Sequence, residues 1–224
     1  MHELAGQRVY QDNSQKPYIH LVDGGVSDNL GMRAVLDALE IIESLHDLGL
    51  PSPLDSARRI IVFVVNSLSS PPTDWDKHER PPGTVNVLLQ ATGVPIDHYS
   101  YEATELLKDT AARWRALREL RESKAFAPNA DPAADALLRV PQAEIYAVDV
   151  SFSQLKNKDE AKYLNKQPTS FALPGEAVDR LRAAAGTIIE ESPEFRRLAK
   201  DMGATIVIHP VAPATPVPIP LRPR

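Results

Sequence analysis

Apolar residues along the chain form three short runs that predict β-strands. Residues 18–23 have the sequence YIHLVD, residues 58–67 have RRIIVFVVNS, and residues 143–152 have AEIYAVDVSF. The middle run is apolar at every position from Ile60 to Val65. Such a run is typical of a strand that is covered on both faces, as in a parallel sheet.

Helical spacing of apolar residues separates these runs. Residues 32–45 predict an amphipathic helix that ends before Gly49. Residues 96–123 predict a second long helix, whose apolar face extends from Ile96 through Leu106 and Trp114 to Leu120. Its opposite, charged side predicts a solvated surface.

Two shorter helices are predicted at residues 175–189 and 193–202, the second with Ser192 as its N-cap. The order strand, helix, strand makes a right-handed βαβ unit the default connection. The predicted fold class is therefore α/β, with a mainly parallel sheet and helices on both faces.

The domain boundaries follow from the same pattern and from proline content. We expect an N-terminal lead-in at residues 1–17, one α/β domain at residues 18–203 with loops at 68–83 and 124–140, and a tail at 204–224. The chain has 20 prolines against 10 glycines, and the tail has a dense share of those prolines. An extended or disordered tail is the expectation.

Composition excludes several function classes. The formal net charge of −5 argues against a nucleic-acid surface, because phosphate binding needs a clustered basic face. The absence of cysteine excludes thiol catalysis and thiolate metal sites. No apolar run is long enough for a membrane span, and the first residues do not have the pattern of a secretory signal. The expected location is soluble, cytoplasmic or membrane-peripheral, and the compartment stays open.

The most informative local motif is the Asp-Gly-Gly sequence at residues 23–25, which directly follows the first predicted strand. Function in parallel sheets collects at the carboxyl ends of strands. Gly24 and Gly25 can take positive φ and have no Cβ, so they allow a tight turn that fixes the direction of Asp23. The alternative is structural: Asp23 caps the following loop or helix, and the glycines form an ordinary turn.

The sequence DGGVSDNLG at residues 23–31 closely resembles the second catalytic motif of patatin-like phospholipases. The runs RRIIVFVVNS, GVPIDHYSYEATELLKD and PTSFALPGEAVDRLRAAAGTIIEESPEF resemble later segments of bacterial members, so the resemblance covers residues 18 to about 200. It implies a partial patatin-like α/β/α sandwich and a lipid acyl hydrolase with a Ser–Asp dyad. Asp23 is then the catalytic carboxylate, and Gly24 and Gly25 shape its turn. One departure is Gly31, where many members have proline.

The serine of that dyad has no candidate in the chain. In the family it lies in a Gly-x-Ser-x-Gly turn, and the nearest approach is Gly25-Val-Ser27-Asp-Asn29, which lies inside the Asp motif itself. The glycine-rich oxyanion loop is also missing. We therefore expect this chain to be the C-terminal half of such a domain and to be inactive alone, with the first predicted strand left exposed and prone to association.

Three further residues are candidates for the pocket: Asn66 and Ser67 at the end of the second predicted strand, and Asn29 in the Asp motif. No metal or cofactor is predicted. Asp74, Asp76, His78 and Glu79 match no defined metal site and are expected to form a solvated polar loop. The expected partners are a lipid or acyl-ester substrate, the upstream half of the domain and a lipid surface, without nucleic acid.

Two other function classes remain open. One is a non-catalytic α/β interaction or regulatory module that keeps the Asp-Gly-Gly turn for structural reasons. The other is an Asp-based phosphoryl-transfer enzyme, which is disfavoured because the second acidic residue that would help to bind Mg²⁺ is replaced by Gly25. A glycine-rich loop and a Gly-x-Ser-x-Gly turn encoded upstream of Met1 would favour the hydrolase over the module.

Overall fold

The computed structural model describes residues 24–67, 75–77, 79, 81–123, 141–168, 170 and 172–207. The strand predicted at residues 18–23, the connector at 124–140, most of the loop at 68–83 and the tail from residue 208 lie outside these ranges. So does Asp23.

The described residues form helices around a short sheet. In chain order the elements are α1 (Gly25–Asp28), α2 (Met32–Asp47), β1 (Arg59–Asn66), α3 (Thr84–Glu122), β2 (Glu144–Ser151), α4 (Lys158–Asn165), α5 (Gly175–Glu191) and α6 (Pro193–Asp201), with 3-10 turns at Trp75–Lys77 and Phe152–Gln154. The predictions of α2, β1, β2, α5 and α6 are confirmed to within about two residues, which is the usual uncertainty of helix ends.

The two strands pair in parallel, in the register Arg59↔Glu144 through Asn66↔Ser151. Helix α3 lies in the connection between them, as parallel pairing requires a long crossover. The chain is therefore a mixed α/β protein, as the sequence predicts.

One face of the sheet packs on α2 and α3. Its core joins Ile145 and Ala147 of β2 with Leu39 of α2 and with Leu107 and Trp114 of α3. Alternate residues of β1 add to this layer, because side chains of a strand point to opposite faces in turn. This is the larger of the two apolar cores in the described residues.

The opposite face packs on the C-terminal helices. Val148 and Val150 of β2 contact a cluster that includes Leu164 of α4 and both Ala184 and Ile188 of α5. Strand β2 is thus covered on both sides, as a buried parallel strand should be.

Strand β1 lacks this second cover among the described residues. Ile61, Phe63 and Val65, which point to the same side as Val148, are 42%, 45% and 64% exposed. The contact of Phe63 with Phe195 of α6, at 6.3 Å between ring centroids, is the edge of that layer. The expectation that β1 is covered on both faces is therefore wrong for this part of the chain, because α5 and α6 lie over β2.

Helix α3 is longer than predicted. It begins at Thr84, twelve residues before the predicted start at Ile96, and it continues through Gly93 and Pro95. Proline removes one helical hydrogen bond, which weakens the helix at that point without ending it here. The predicted apolar face is also partly wrong, since Leu106 and Leu120 are exposed.

The sequence predicted a solvated surface on the charged side of α3, but part of that side forms ion pairs with a buried carboxylate. Arg115 and Arg118 bind Glu144, a buried residue at the start of β2, and Arg197 of α6 binds the same carboxylate. Arg115 also reaches Glu194, at 3.2 Å. A buried carboxylate needs such partners, so this cluster, the Glu144 cluster, ties α3 and α6 to the amino end of β2.

Helix α4 was missed by the sequence analysis. The side chain of Asn157 caps it by accepting hydrogen bonds from the backbone N–H groups of Asp159 and Glu160, both at 3.1 Å. Ala161 and Leu164 are its buried residues. With only eight residues, it carries too short an apolar pattern for periodicity to reveal.

A candidate binding cavity at the strand ends

The segment after Asp23 forms a helix at once. Gly24 has φ −59° and ψ −23° and is the N-cap of α1, while Gly25 is its first residue. A Cβ added at Gly24 would meet nothing within 4 Å. Gly24 therefore uses neither positive φ nor the room of a missing side chain, and the turn-shaping role predicted for it is not seen there.

The left-handed glycine in this motif is Gly31, with φ 66° and ψ 22°. Proline fixes φ at about −65° and cannot adopt this conformation. A proline at position 31 would therefore not fit the backbone at the entry to α2.

The cap of the long helix α2 is supplied by Asp28. Its two carboxylate oxygens accept hydrogen bonds from the backbone N–H groups of Met32 and Arg33, each at 2.9 Å. These N–H groups have no partner within the helix, and negative charge is favourable at a helix N-terminus. Asp23 is thus not required as the cap of α2.

A cavity of about 610 Å³ opens at the carboxyl ends of β1 and β2. The last residue of each strand, Asn66 and Ser151, lines it. The other walls come from α3, from the 3-10 turn Phe152–Gln154 and from α4. In parallel sheets, this is the edge at which ligands bind.

The structure brings only one of the predicted pocket residues to this cavity. Asn66 lines it and is half-buried. Ser67 and Asn29 are exposed and do not line the cavity. Asn29 is instead the C-cap of α1. Ser27 is exposed, and its hydroxyl donates to the Gly24 carbonyl oxygen at 3.2 Å.

In the cavity wall, the ammonium group of Lys108 binds two carboxylates. Its ammonium group lies 2.8 Å from Glu105 and 3.1 Å from Asp149, and the Gln154 amide also donates to Asp149 at 3.1 Å. Burial alone would lower the pKa of Lys108, but the hydrogen bonds to Glu105 and Asp149 outweigh it and raise that pKa. Lys108 therefore stays charged at neutral pH and is already paired.

Two further features distinguish the walls. On α3, burial raises the pKa of Asp97 above its ordinary value. Three lysines line the cavity on the side of α4: Lys158 and Lys162 of the helix, and its C-cap residue Lys166. The lysines were missed because α4 itself was missed, although their four-residue spacing is visible in the sequence.

Neither a metal-binding cluster nor a candidate membrane-spanning helix is found in the described part of the chain. It contains no group of three or more His, Cys, Asp or Glu residues arranged to hold a metal ion. Of the helices described, none has both the length and the apolar character that a bilayer crossing needs.

No protein-family model, curated protein or solved structure matches the chain.

Proposed function

We propose that the chain contributes the aspartate of a lipid acyl hydrolase of the patatin-like type, with Asp23 as the general base of a Ser–Asp dyad. The proposal starts from the resemblance of residues 23–31 to the second catalytic motif of that family. The observation that carries it further is the cavity at the carboxyl ends of β1 and β2. A hydrolase of this type needs a cleft at that edge of a parallel sheet.

The position of Asp23 in the sequence fits this edge. If residues 18–23 form a strand parallel to β1, then Asp23 ends that strand as Asn66 ends β1 and Ser151 ends β2. The capping of α2 by Asp28 means that Asp23 is not needed for this structural role at α2.

The exposed face of β1 supports the second part of the proposal, that the nucleophile comes from polypeptide outside these 224 residues. Ile61, Phe63 and Val65 form an apolar surface that the described residues leave uncovered. Burial of such a surface is favourable by about 25 cal/mol per Å². A further part of an α/β/α domain would supply that cover together with the Gly-x-Ser-x-Gly turn.

The chemistry follows from the dyad. A serine hydroxyl is a weak nucleophile until a base accepts its proton. The Asp23 carboxylate takes this proton while Oγ attacks the ester carbonyl carbon, and backbone N–H groups stabilise the oxyanion. Collapse of the tetrahedral intermediate expels the alcohol, which receives the proton, and water then cleaves the acyl-serine by the same route.

Fluorophosphonate labelling tests where the nucleophile lies. The 224-residue chain and a polypeptide extended by the coding sequence upstream of Met1 would be treated with the same probe, since it reacts with activated serines. We expect labelling of the extended polypeptide alone, at a serine between two glycines. Labelling of a serine within residues 1–224, or an upstream sequence without such a serine, would contradict the proposal.

A second candidate function is favoured by one observation. The exposed apolar face of β1 is also what a non-catalytic interaction module would present, because large apolar patches mark binding surfaces. In that case the extended polypeptide binds its partner through this face and hydrolyses no ester. The labelling experiment separates the two functions.

A further inference from the structure

The α4 side of the cavity has a stripe of three lysines. Lys158 and Lys162 belong to α4, and Lys166 is its C-cap residue, with a helical backbone conformation. Because the three follow one another at four-residue intervals, they lie on the same side of the helix, about 6 Å apart along its axis. All three line the cavity at the strand ends. The stripe therefore faces the space in which we expect the ester to bind.

The charge on this stripe is largely unused. Within the described residues, Lys162 and Lys166 form no ion pair. The ammonium group of Lys158 is held by two backbone carbonyl oxygens, those of Ser153 at 3.2 Å and Leu155 at 3.0 Å. An ammonium group has three donors, so Lys158 keeps one for a ligand.

The carboxylates of the cavity do not neutralise the stripe. Glu105 and Asp149 both bind Lys108, on the α3 side. The remaining carboxylate is Asp97, where burial disfavours the charged form. Four lysines thus face three carboxylates in a chain whose net charge is −5, so this cavity has a charge opposite to that of the molecule.

The cavity also offers apolar contact beside the lysines. Phe152, half-buried, and Ala161, buried on α4, both line it. A volume of about 610 Å³ is in the range of sites for drug-sized molecules rather than for a single small ion. The ligand that fits this combination has an anionic group joined to an apolar body.

We propose that Lys158, Lys162 and Lys166 bind the anionic group of an amphiphilic ligand whose apolar part lies against Phe152 and Ala161, so that the cavity selects net-negative lipids over zwitterionic ones. Lysine acts as a point charge toward phosphate and carboxylate oxygens. In naming the charge of the substrate, this inference rests on the proposed function. The binding itself needs no nucleophile.

Calorimetric titration of the 224-residue chain tests this inference with three probes. Dihexanoyl phosphatidylglycerol and dihexanoyl phosphatidylcholine, both below their critical micelle concentrations, have the same acyl chains but differ in net charge, and inorganic phosphate has no acyl chain. We expect the phosphatidylglycerol to bind about tenfold more tightly than the other two, and more weakly as salt concentration rises.

The variant K162Q/K166Q removes two cations of the stripe, and K156Q/K200Q is the matched control. Lys156 and Lys200 are exposed lysines that do not line the cavity. We expect the first variant to lose about tenfold in affinity for phosphatidylglycerol, with little salt dependence left, and the control to bind like the wild type. Circular dichroism and thermal unfolding show whether both variants keep the fold.

Each other outcome overturns the inference. Equal binding of the two lipids removes the charge selection, and equal binding of inorganic phosphate removes the apolar part. Absence of binding, or equal losses in the two double variants, removes the site itself. None of these results depends on hydrolysis. The proposed function can therefore fail while this inference stands, and this inference can fail while the proposed function stands.

Discussion

The two strands of the sheet have similar sequences and different surroundings. Val65 of β1 and Val150 of β2 are cross-strand partners on the same face, yet Val65 is 64% exposed and Val150 is 6% exposed. The pairs Phe63↔Val148 and Ile61↔Tyr146 repeat this contrast. Among the described residues, β2 has helices on both faces, whereas β1 has them on one.

The difference teaches that an apolar strand sequence indicates a strand suited to burial on both faces. Whether both faces are buried depends on other segments of the polypeptide, which supply the helices that pack on them. Helices α5 and α6 lie over β2, and α6 reaches β1 at two points: Phe195 contacts Phe63, and the Asp201 carbonyl oxygen accepts a hydrogen bond from Arg59 at 2.9 Å. The apolar residues on the second face of β1 are therefore an indication of polypeptide that belongs there. Three predictions test this contrast between the strands.

The largest effect is expected at the amino end of β2, in the Glu144 cluster. The substitution E144Q leaves Arg115, Arg118 and Arg197 without their shared carboxylate partner. Breaking a buried ion pair by removing one partner destabilises a protein by about 3 kcal/mol or more. Urea unfolding, followed by circular dichroism, would measure the free energy of unfolding.

The matched control for E144Q is E119Q, a substitution at an exposed residue of α3. We expect it to change the free energy of unfolding by less than about 0.5 kcal/mol. Equal effects of the two substitutions would mean that the Glu144 cluster does not anchor β2.

The next effect compares one valine from each strand. V148A removes two methyl groups at a fully buried position of β2, and we expect it to lower the free energy of unfolding by about 2 kcal/mol, because it leaves a cavity. V65A makes the same change at the exposed position of β1 and should cost less than about 0.5 kcal/mol. The same urea titration compares them, and similar losses would refute the difference in cover.

The smallest effect on stability, but a clear one on association, is expected for I61T/V65T. Threonine keeps the β-branched shape while it makes the exposed face of β1 more polar. We expect nearly unchanged stability and weaker self-association, measured by sedimentation velocity over a range of concentrations. An unchanged distribution of sedimentation coefficients would show that this face is not an association surface. The A112S/A116S variant, at exposed residues of α3, is the control.

Much of the fold could be predicted from sequence because its signals are local. The apolar run of β1, the amphipathic pattern of α2 and the N-cap Ser192 each act within a few residues, and the structure confirms them. The start of α3 was not predictable in this way, since Gly93 and Pro95 are ordinary signals of a break. Tertiary packing overrides such local preferences.

The cavity could be predicted only in part. Asn66 was found because it ends a strand, and strand ends meet at one edge of a parallel sheet. The lysine stripe was not found, because it depends on the short helix α4. Glu144 was missed for a different reason: its arginine partners lie 26, 29 and 53 residues away in the sequence, and no local pattern links them to it.

The measurement that tests the central claim most directly is ester hydrolysis by the upstream-extended polypeptide with the substitution D23N, beside D28N as the matched control. Loss of a general base costs about a thousandfold in rate, so we predict that D23N lowers kcat for p-nitrophenyl butyrate by about that factor. D28N, which keeps a side chain able to cap α2, should retain activity within about twofold. Wild-type activity in D23N would contradict the claim that Asp23 is the catalytic base.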